Sequence, residues 1–457
     1  MNLIPQDGEY RPDPAISEIA DFIADPVAAA DFPETRLRFR NDRWAATVGL
    51  DGLSDADWCR HFGRFEPLAD NLEAPLALRY HGHQFRHYNP DIGDGRGFLF
   101  AQMRDGGGRL MDFGTKGSGR TPWSRFGDGR LTLKGAVREI LATEMLEALG
   151  VETSKTFSVI ETGEDLHRGD EPSPTRSAVL VRLNHSHIRI GSFQRLATLG
   201  EVENLKRLVA YVLRHYFGED DSGDAPLRLL RHVVAGTARM AAGFVHGVLN
   251  SDNINITGES FDYGPWRFAP QFDTGFTAAY FDSAGLYAFG RQAEAIHWNV
   301  AQLAIALSGL AAEDALIEAL NGFAPAYHRA LGTAMLGRLG VKPRGETQDR
   351  ALIGVMEQAL VASQAGIDRF FFDWRGGTCR ARGDYADPSF DILPKALEGH
   401  EPVRSDHPYW SGDAPCSMLI DEVEAIWKPI ADEDDWTALE TKVAAIRTMG
   451  EAYRCES

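Results

Sequence analysis

The pattern of hydrophobic and polar residues changes character roughly midway along the chain. From about residue 76 to 130, short apolar runs such as 97–102 alternate with Gly-rich turns, and the break at 104–108 predicts a β-hairpin. A second apolar run at 178–182 predicts another strand. Between these regions, apolar residues recur at helical spacing and predict a helix over 131–149 that stops at Gly150.

Beyond about residue 200 the apolar spacing becomes mainly helical. It predicts helices over 202–217, 226–245, 295–310, 312–335, 347–365 and 436–452. Residues 1–30 predict an extended or partly helical lead-in. A strand-rich part over 31–200 followed by a helical part over 201–457 is typical of a two-lobed α+β enzyme with its cleft between the lobes, and a mixed fold without lobes would give the same order.

Composition and charge exclude several classes of protein. With 44% hydrophobic residues among 457, the chain can bury substantial cores, which excludes wholesale disorder. The net charge of −19 argues against a nucleic-acid partner, but a cleft can still gather the few cations that bind one nucleotide. The four cysteines lack the spacing of a disulfide framework or a zinc site. We see neither a secretion signal nor an apolar run of about 18 residues, so we expect a cytoplasmic protein with no membrane partner.

The strongest chemical signal lies between residues 243 and 264. A predicted helix runs into His246, and a polar loop then presents Asp252 and Asn253. A short strand pair, predicted to turn at Gly258, delivers Asp262. Carboxylate and amide oxygens of this kind hold Mg²⁺ against phosphate oxygens, and their order matches a protein-kinase catalytic loop followed by its Asp-aromatic-Gly segment. In isolation, such residues cap loops more often than they catalyse reactions.

Position 248 departs from the kinase pattern. In a loop of the form H-x-D-x-x-x-x-N anchored on His246 and Asn253, the catalytic aspartate would stand where this chain has Val248. A valine side chain cannot accept the proton of an attacking hydroxyl. Either the chain is inactive as a kinase, or another group such as Asp252 serves a differently placed substrate. Ordinary phosphoryl transfer is therefore disfavoured.

A kinase-like site also needs a strand lysine paired with a helix glutamate. Lys116 follows an apolar run, and Glu139 lies in the predicted helix over 131–149. Arg182 and Arg189 would add planar guanidinium groups, which suit bidentate phosphate contacts. Each of these residues alone is more often an unrelated surface charge. Their occurrence together with the other motifs is what favours a phosphate site.

Two other phosphate motifs and a group of histidines are set aside. Asp112-Phe-Gly precedes Lys116, whereas a metal-binding aspartate should follow the catalytic loop. Residues 114–121 approximate a P-loop, but Arg120 replaces its lysine and Pro122 follows in place of a helix. We interpret as packing residues, rather than metal ligands, His81, His83, His87, His185 and His187.

Taken together and in this order, these segments resemble the selenoprotein O family of kinase-like protein adenylyltransferases. The resemblance runs from about residue 32 to 307. It is carried by HGHQF at 81–85, IGDGR at 92–96, Lys116-Gly, WSRFGDGR at 123–130, Arg138-Glu139, Arg182, Arg189, HGVLNSDN at 246–253 and DYGP at 262–265.

The resemblance implies a pseudokinase fold that binds ATP in a reversed orientation. The α-phosphate then faces the acceptor, AMP passes to a Ser, Thr or Tyr hydroxyl of a protein, and pyrophosphate leaves. Lys116, positioned by Glu139, would hold the phosphates together with the two arginines. Asp252 would accept the proton, while Asn253 and Asp262 would bind Mg²⁺ or Mn²⁺. The remaining nucleotide site would be lined by Gly93, Gly95, Arg96, Asp128 and Gly129, together with Lys116, Glu139, Arg182, Arg189 and Asp262.

The chain also departs from the family pattern. Arg86 stands where a glycine is common, Pro90-Asp-Ile replaces Pro-Gln-Leu, and the match is faint beyond about residue 310. The resemblance would also imply a redox pair between Cys455 and a second cysteine after the DYGP segment. Residues 276–280, where that cysteine would stand, contain none, so we interpret Cys455 as a plain exposed thiol. Three alternatives stay open, namely UMP transfer from UTP, a kinase-like phosphotransferase, and a non-catalytic nucleotide-binding scaffold.

Overall fold

The chain folds as an α+β protein with a curled antiparallel sheet in its first half and mainly helices in its second. A computed structural model describes residues 6–169, 171–237, 244–403 and 406–454. The strands are β1 Ala24–Pro26, β2 Arg36–Arg40, β3 Leu76–Leu78, β4 Gly82–Gln84, β5 His87–Asn89, β6 Leu99–Arg104, β7 Leu110–Lys116, β8 Leu131–Thr132, β9 Lys155–Leu166, β10 Thr175–Asn184, β11 Phe244–Val245 and β12 Arg267–Phe268.

The helices follow the same order and become dense after β10. They are α1 Ala20–Ile23, α2 Asp42–Ala46, α3 Asp55–Phe62, α4 Leu133–Ala148, α5 Ile190–Thr198, α6 Val202–Val212, α7 Ala225–Thr237, α8 Gln292–Ala306, α9 Glu313–Asn321, α10 Phe323–Leu339, α11 Glu346–Ser363, α12 Ile367–Asp373, α13 Leu393–Ala396, α14 Ile420–Glu433 and α15 Thr437–Arg454. Within the described residues, none of these helices combines the length and the apolar composition that crossing a bilayer requires.

The main sheet has eight strands in the order β1-β3-β6-β7-β10-β9-β2, with β8 added to β10. The predicted hairpin is confirmed as β6 and β7, whose turn is closed by the Asp105 amide donating to the Arg109 carbonyl at 3.0 Å. The strand predicted at 178–182 is confirmed within the longer β10. Strand β9 was not predicted, because its first eight residues are buried whether apolar or polar and a short polar stretch follows, so no regular alternation marks it.

Helix α4 confirms the helix predicted over 131–149. The Thr132 hydroxyl caps its first turn by accepting from the Gly135 amide at 3.1 Å, and Gly150 follows its end with a φ of +79°. The helix is covered on more than one side, since α14 and α15 pack against it as well as the sheet. Arg447 of α15 pairs with Glu144 of α4 at 2.7 Å, which ties the C-terminal helix to the strand-rich part.

The helical half confirms most of the predicted helices with adjusted boundaries. Helices α8, α11 and α15 match predictions, while the helix predicted over 312–335 is divided at Gly322 into α9 and α10. The helix predicted over 226–245 is wrong at its end, because 244–245 form strand β11 paired with β12, and residues 238–243 lie outside the described part of the chain. Helix α6 ends at Val212 and continues over Leu213–Phe217 as a wider helical turn.

The strand pair predicted to turn at Gly258 is wrong. Gly258 does lie in a turn, with a φ of +81°, but the residues on either side of it do not pair with each other. Instead, Asn255 bridges to Arg189 and Ser260 bridges to Thr153. The backbone of this buried segment thus finds its hydrogen bonds with distant parts of the chain, which local spacing cannot reveal.

The predicted site residues of β7 and β10 lie on the face of the sheet that packs on α4, α14 and α15. The opposite face of the sheet, away from these residues, packs on α2 and α3 through Trp58, Phe62 and Phe157. A second core joins β3 and β6 to helices α5 to α9. The segment 250–262 lies where the sheet, α4 and this helical core meet, so its polar side chains face the ends of β7 and β10.

Candidate functional site

Ten of the predicted site residues line one cavity of about 630 Å³. Its walls come from loop 92–97, the end of β7, loop 123–130, strand β10 and the segment that follows β11. The predicted residues on its surface are Gly93, Gly95, Arg96, Lys116, Asp128, Gly129, Arg182, Arg189, Asp252 and Asp262. Glu139 lies directly behind Lys116, whereas Asn253, which follows Asp252 in the chain, is not among the residues that line the cavity.

Lys116 and Glu139 form the pair that the sequence predicts. Lys116 is the last residue of β7, and Glu139 lies in the first half of α4, so the helix that crosses the sheet brings its carboxylate to the strand end. Lys116 Nζ lies 2.7 Å from Glu139 Oε2, and both side chains are almost completely buried. Lys116 also donates to the Tyr263 carbonyl at 3.1 Å, which fixes the ammonium group beside the preceding residue, Asp262.

Three cations converge on the carboxylate of Asp262. Lys116 Nζ and Arg182 Nη1 lie 3.2 Å and 3.3 Å from its Oδ1. Arg189 Nη1 lies 3.5 Å from its Oδ2. Both arginines also lie near the ring of Phe261, with Arg189 4.9 Å from its centroid. This cluster of cations on a half-buried carboxylate is the positive centre of the cavity.

The ionisation and backbone of Asp262 both fit a residue held in place by its surroundings. Burial acts to raise the pKa of Asp262, but the charges of Lys116, Arg182 and Arg189 outweigh it and hold the pKa well below its usual range. Its φ is +63°, in the left-handed region. A non-glycine residue there costs on the order of 1 kcal/mol, a strain that is common at functional sites.

Asp252 faces the same cavity from the short turn Ser251–Asn253. Burial raises the pKa of Asp252 to about 6, although the nearby charge of Arg189 acts to lower it. Gln84 of β4 donates from Nε2 to Asp252 Oδ2 at 3.4 Å, and Asn89 holds Gln84 by donating to its Oε1 at 3.0 Å. Among the described residues, Oδ1 of Asp252 has no hydrogen-bond partner. One oxygen of this carboxylate is thus buried without a hydrogen-bond partner in the described part of the chain.

The side chains of Asn253 and Asp262 have the chemistry of a magnesium or manganese site next to phosphate. Asn253 donates its amide nitrogen to the carbonyl of Val248 at 3.0 Å, which leaves its side-chain oxygen as the available ligand atom. No group of three or more His, Cys, Asp or Glu in the described part of the chain is arranged to hold a metal ion by itself. Mg²⁺ in nucleotide sites usually takes one or two protein ligands and completes its shell with phosphate oxygens, so this donor set fits.

Glycine is required at two positions of the cavity wall. A Cβ atom on Gly93 would collide with the ring of Trp123, which packs directly over loop 92–97. Gly129 has a φ of +73° and its backbone touches that of Gly119. Asp128 is held by Arg168 at 2.8 Å, which ties loop 123–130 to the connection between β9 and β10. Both Gly-rich loops therefore approach the cavity with their backbone.

Sequence reasoning missed two residues of the site, although both lie within quoted motifs. Gln84 contacts Asp252 directly, and Asp94 is buried beside Arg189, 3.0 Å from its Nη2. Polar residues inside a motif that binds phosphate are a usable signal, but their partners are far away in sequence. His187, interpreted as a packing residue, is buried and touches Asp94 at 3.0 Å. Cys455 lies outside the described residues.

Gly-rich loops and clustered cations around one cavity are typical of sites that bind phosphate. A family model described as "Protein adenylyltransferase SelO" matches residues 9–385, and the chain belongs to this family. The predicted resemblance is thus confirmed.

The chain is similar to proteins named "Protein nucleotidyltransferase YdiU" over nearly its full length. It is 40% identical to that of Synechocystis sp. over 93% of this chain and 95% of the relative. It is 40% identical to that of Synechococcus elongatus over 96% and 95%, and 41% identical to that of Gloeobacter violaceus over 95% and 94%. The similarity extends well beyond residues 32–307, so the expectation of a match that fades after residue 310 was too narrow.

Proposed function

We propose that this chain is a metal-dependent protein adenylyltransferase that transfers AMP from ATP to a Ser, Thr or Tyr hydroxyl of a protein. The observation that carries the proposal is the convergence of Lys116, Arg182 and Arg189 on Asp262 in one cavity, in a chain that has valine at position 248. The names of the family and of the relatives support it. We further propose a two-lobed, protein-kinase-like arrangement, with lobes over 31–200 and 201–457.

The proposed reaction is an in-line displacement at the α-phosphorus. The acceptor oxygen forms a bond to the α-phosphorus while the bond from that phosphorus to the oxygen bridging to the β-phosphate breaks. Pyrophosphate leaves with the electron pair, and the hydroxyl proton passes to the carboxylate of Asp252. The position of Asp252 in the wall of the cavity and its raised pKa of about 6 support this role, because a base with a pKa near the working pH accepts a proton effectively.

The cations would hold the phosphates and stabilise the charge that develops on them. Lys116 and the two arginines already lie within 3.5 Å of Asp262, so their positions are set before a nucleotide enters. Preorganised charges of this kind are usually the largest contribution to catalysis. Glu139 keeps Lys116 in place and prevents its long side chain from leaving the cavity.

Asn253 and Asp262 would hold the metal ion, with phosphate oxygens completing its shell. A bound Mg²⁺ or Mn²⁺ would neutralise phosphate charge and favour departure of pyrophosphate. Asp262 is suited to this task because its low pKa keeps it ionised at neutral pH. The strained backbone at Asp262 directs its carboxylate into the cavity rather than along the segment.

Transfer of label from ATP tests the proposal. The protein is incubated with α-labelled or γ-labelled ATP and a metal ion, and its own modification and that of added proteins are followed by autoradiography and intact mass. We expect label from the α position only, and loss of it in Asp252→Ala. Label from the γ position would show a kinase-like phosphotransferase instead. Binding of ATP without any transfer would show a scaffold, and preference for UTP in a parallel reaction would show UMP transfer.

A further inference from the structure

Asp94 is a carboxylate in the wall of a cavity that is proposed to hold a triphosphate. It stands between Gly93 and Gly95 and is only 4% exposed. A negative charge near phosphate is unfavourable unless it is neutralised and hydrogen-bonded. The proposed reaction assigns nothing to it. Its presence at this position therefore calls for a role that acts through a neighbour.

Both carboxylate oxygens of Asp94 are engaged. Oδ1 accepts from Arg189 Nη2 at 3.0 Å. Oδ2 accepts from the Leu78 amide at 3.0 Å and lies 3.0 Å from His187 Nε2. The Asp94 amide in turn donates to the Leu78 carbonyl at 3.0 Å, so the residue is fixed to strand β3 from both its backbone and its side chain.

Arg189 is held from several directions, and Asp94 supplies the contact at one end of its guanidinium group. At the other end, Nη1 donates to the Asp252 carbonyl at 2.8 Å and faces Asp262. The ring of Tyr80 lies 4.6 Å from the guanidinium carbon. Without Asp94, Nη2 would lose its only carboxylate partner among the described residues, and the group could turn about its remaining contacts.

We propose that Asp94 is a positioning residue that orients Arg189 toward the phosphates, with His187 supporting it from behind. The inference rests on the proposed function in one respect, since Arg189 must contact a bound nucleotide. Asp94 also joins loop 92–97 to the start of α5, so the glycine loop and the arginine would keep one fixed spacing. Two parts of the nucleotide site that are far apart in sequence are thereby held together.

A double-substitution cycle tests this role. Binding of a non-hydrolysable ATP analogue with Mg²⁺ is measured by calorimetry for the full-length wild type, Asp94→Asn, Arg189→Met and the double variant. We expect Asp94→Asn alone to weaken binding by about 10- to 100-fold, because a buried charge pair loses one partner. In the Arg189→Met background the same change should strengthen binding, because it removes a carboxylate that no longer has a guanidinium partner and repels phosphate.

The control is Asp91→Asn, which removes an exposed charge just before the same loop and should leave binding within about twofold, as for most surface substitutions. Equal losses from Asp94→Asn in both backgrounds would overturn the inference, since a merely structural residue acts without regard to Arg189. If circular dichroism shows that Asp94→Asn does not fold, the comparison of Arg189→Met with the double variant still shows whether loss of the Asp94 charge strengthens or weakens binding of the analogue. Failure of the wild type to bind the analogue would overturn both this inference and the proposed function.

Discussion

The two sides of segment 257–262 place carboxylates in opposite electrostatic surroundings. Asp262 faces the cavity with Lys116 and the two arginines. Glu259, three residues earlier, faces a second cavity of about 240 Å³ that is lined by Lys155 and His185. The pKa of Asp262 is held well below its usual range, whereas the pKa of Glu259 is raised to about 7.

The difference comes from what opposes burial on each side. Burial raises the pKa of both carboxylates, and at Asp262 three cations within 3.5 Å reverse the effect. Glu259 has only the more distant charge of Lys155 and one hydrogen bond from the His185 amide at 2.8 Å as its main compensation. Burial also lowers the pKa of His185 to about 4. The surroundings of Asp262 therefore stabilise its ionised form, whereas those of Glu259 destabilise the ionised carboxylate.

The largest effect should follow from removing the charge of Asp262. We expect Asp262→Asn to lower the rate of nucleotide transfer on the order of 10²- to 10³-fold, because the metal loses a ligand and the cations lose their common partner. Steady-state transfer assays with saturating ATP and metal would measure it. Glu259→Gln on the opposite side of the segment is the matched control and should transfer at nearly the wild-type rate. Equal losses of transfer rate in both variants would contradict the proposed difference between the two sides of the segment.

Breaking the pair behind the cavity should separate stability from activity. Lys116→Met leaves the buried Glu139 with Arg182 at 3.5 Å as its remaining cation, and we expect the free energy of unfolding to fall by roughly 3 kcal/mol. Adding Glu139→Gln should restore much of that stability, because the uncompensated charge is gone, but not the transfer activity. Chemical denaturation and transfer assays on the two variants give both readouts. Recovery of activity in the double variant would contradict the role of Lys116.

Glu259 should make the free energy of unfolding depend on pH, and this dependence should be absent from Glu259→Gln. Its folded pKa of about 7 lies above the ordinary value of 4.5, so the folded state binds the proton more tightly. The contribution of protonated Glu259 to the free energy of unfolding is about 3 kcal/mol. It is fully present below pH 4.5 and is lost as the pH rises through 7. Denaturation of wild type and Glu259→Gln at several pH values should show a difference that grows over this window. A constant difference would mean that Glu259 is ionised throughout.

The smallest effect should come from a charge pair with no cavity behind it. Lys206 and Glu203 lie 2.8 Å apart on the surface of α6, and both side chains are more than half exposed. We expect Lys206→Ala to change the free energy of unfolding by about 0.5 kcal/mol or less, because solvent screens such pairs. Thermal denaturation at low and high salt would measure it. A loss comparable to that of Lys116→Met would show that burial is not what makes the site pairs strong.

The sequence by itself determined which residues carry charge into the site and which elements have a strong period. The β6–β7 hairpin, helix α4 and helices α8, α11 and α15 could all be predicted, because hydrophobic spacing and turn residues act over a few neighbouring positions. The family could be recognised from motifs in one order. Those motifs include ten residues that the fold brings to one cavity.

Only the tertiary structure decided which distant residues meet. The pairing of Asn255 with Arg189, the contact of Gln84 with Asp252, and the packing of α15 on α4 join positions tens to hundreds of residues apart. Such contacts depend on how complete elements pack and on which buried polar groups still need partners, and neither is written in local spacing. The same reason explains why Asp262 and Glu259, three residues apart on one segment, ionise so differently.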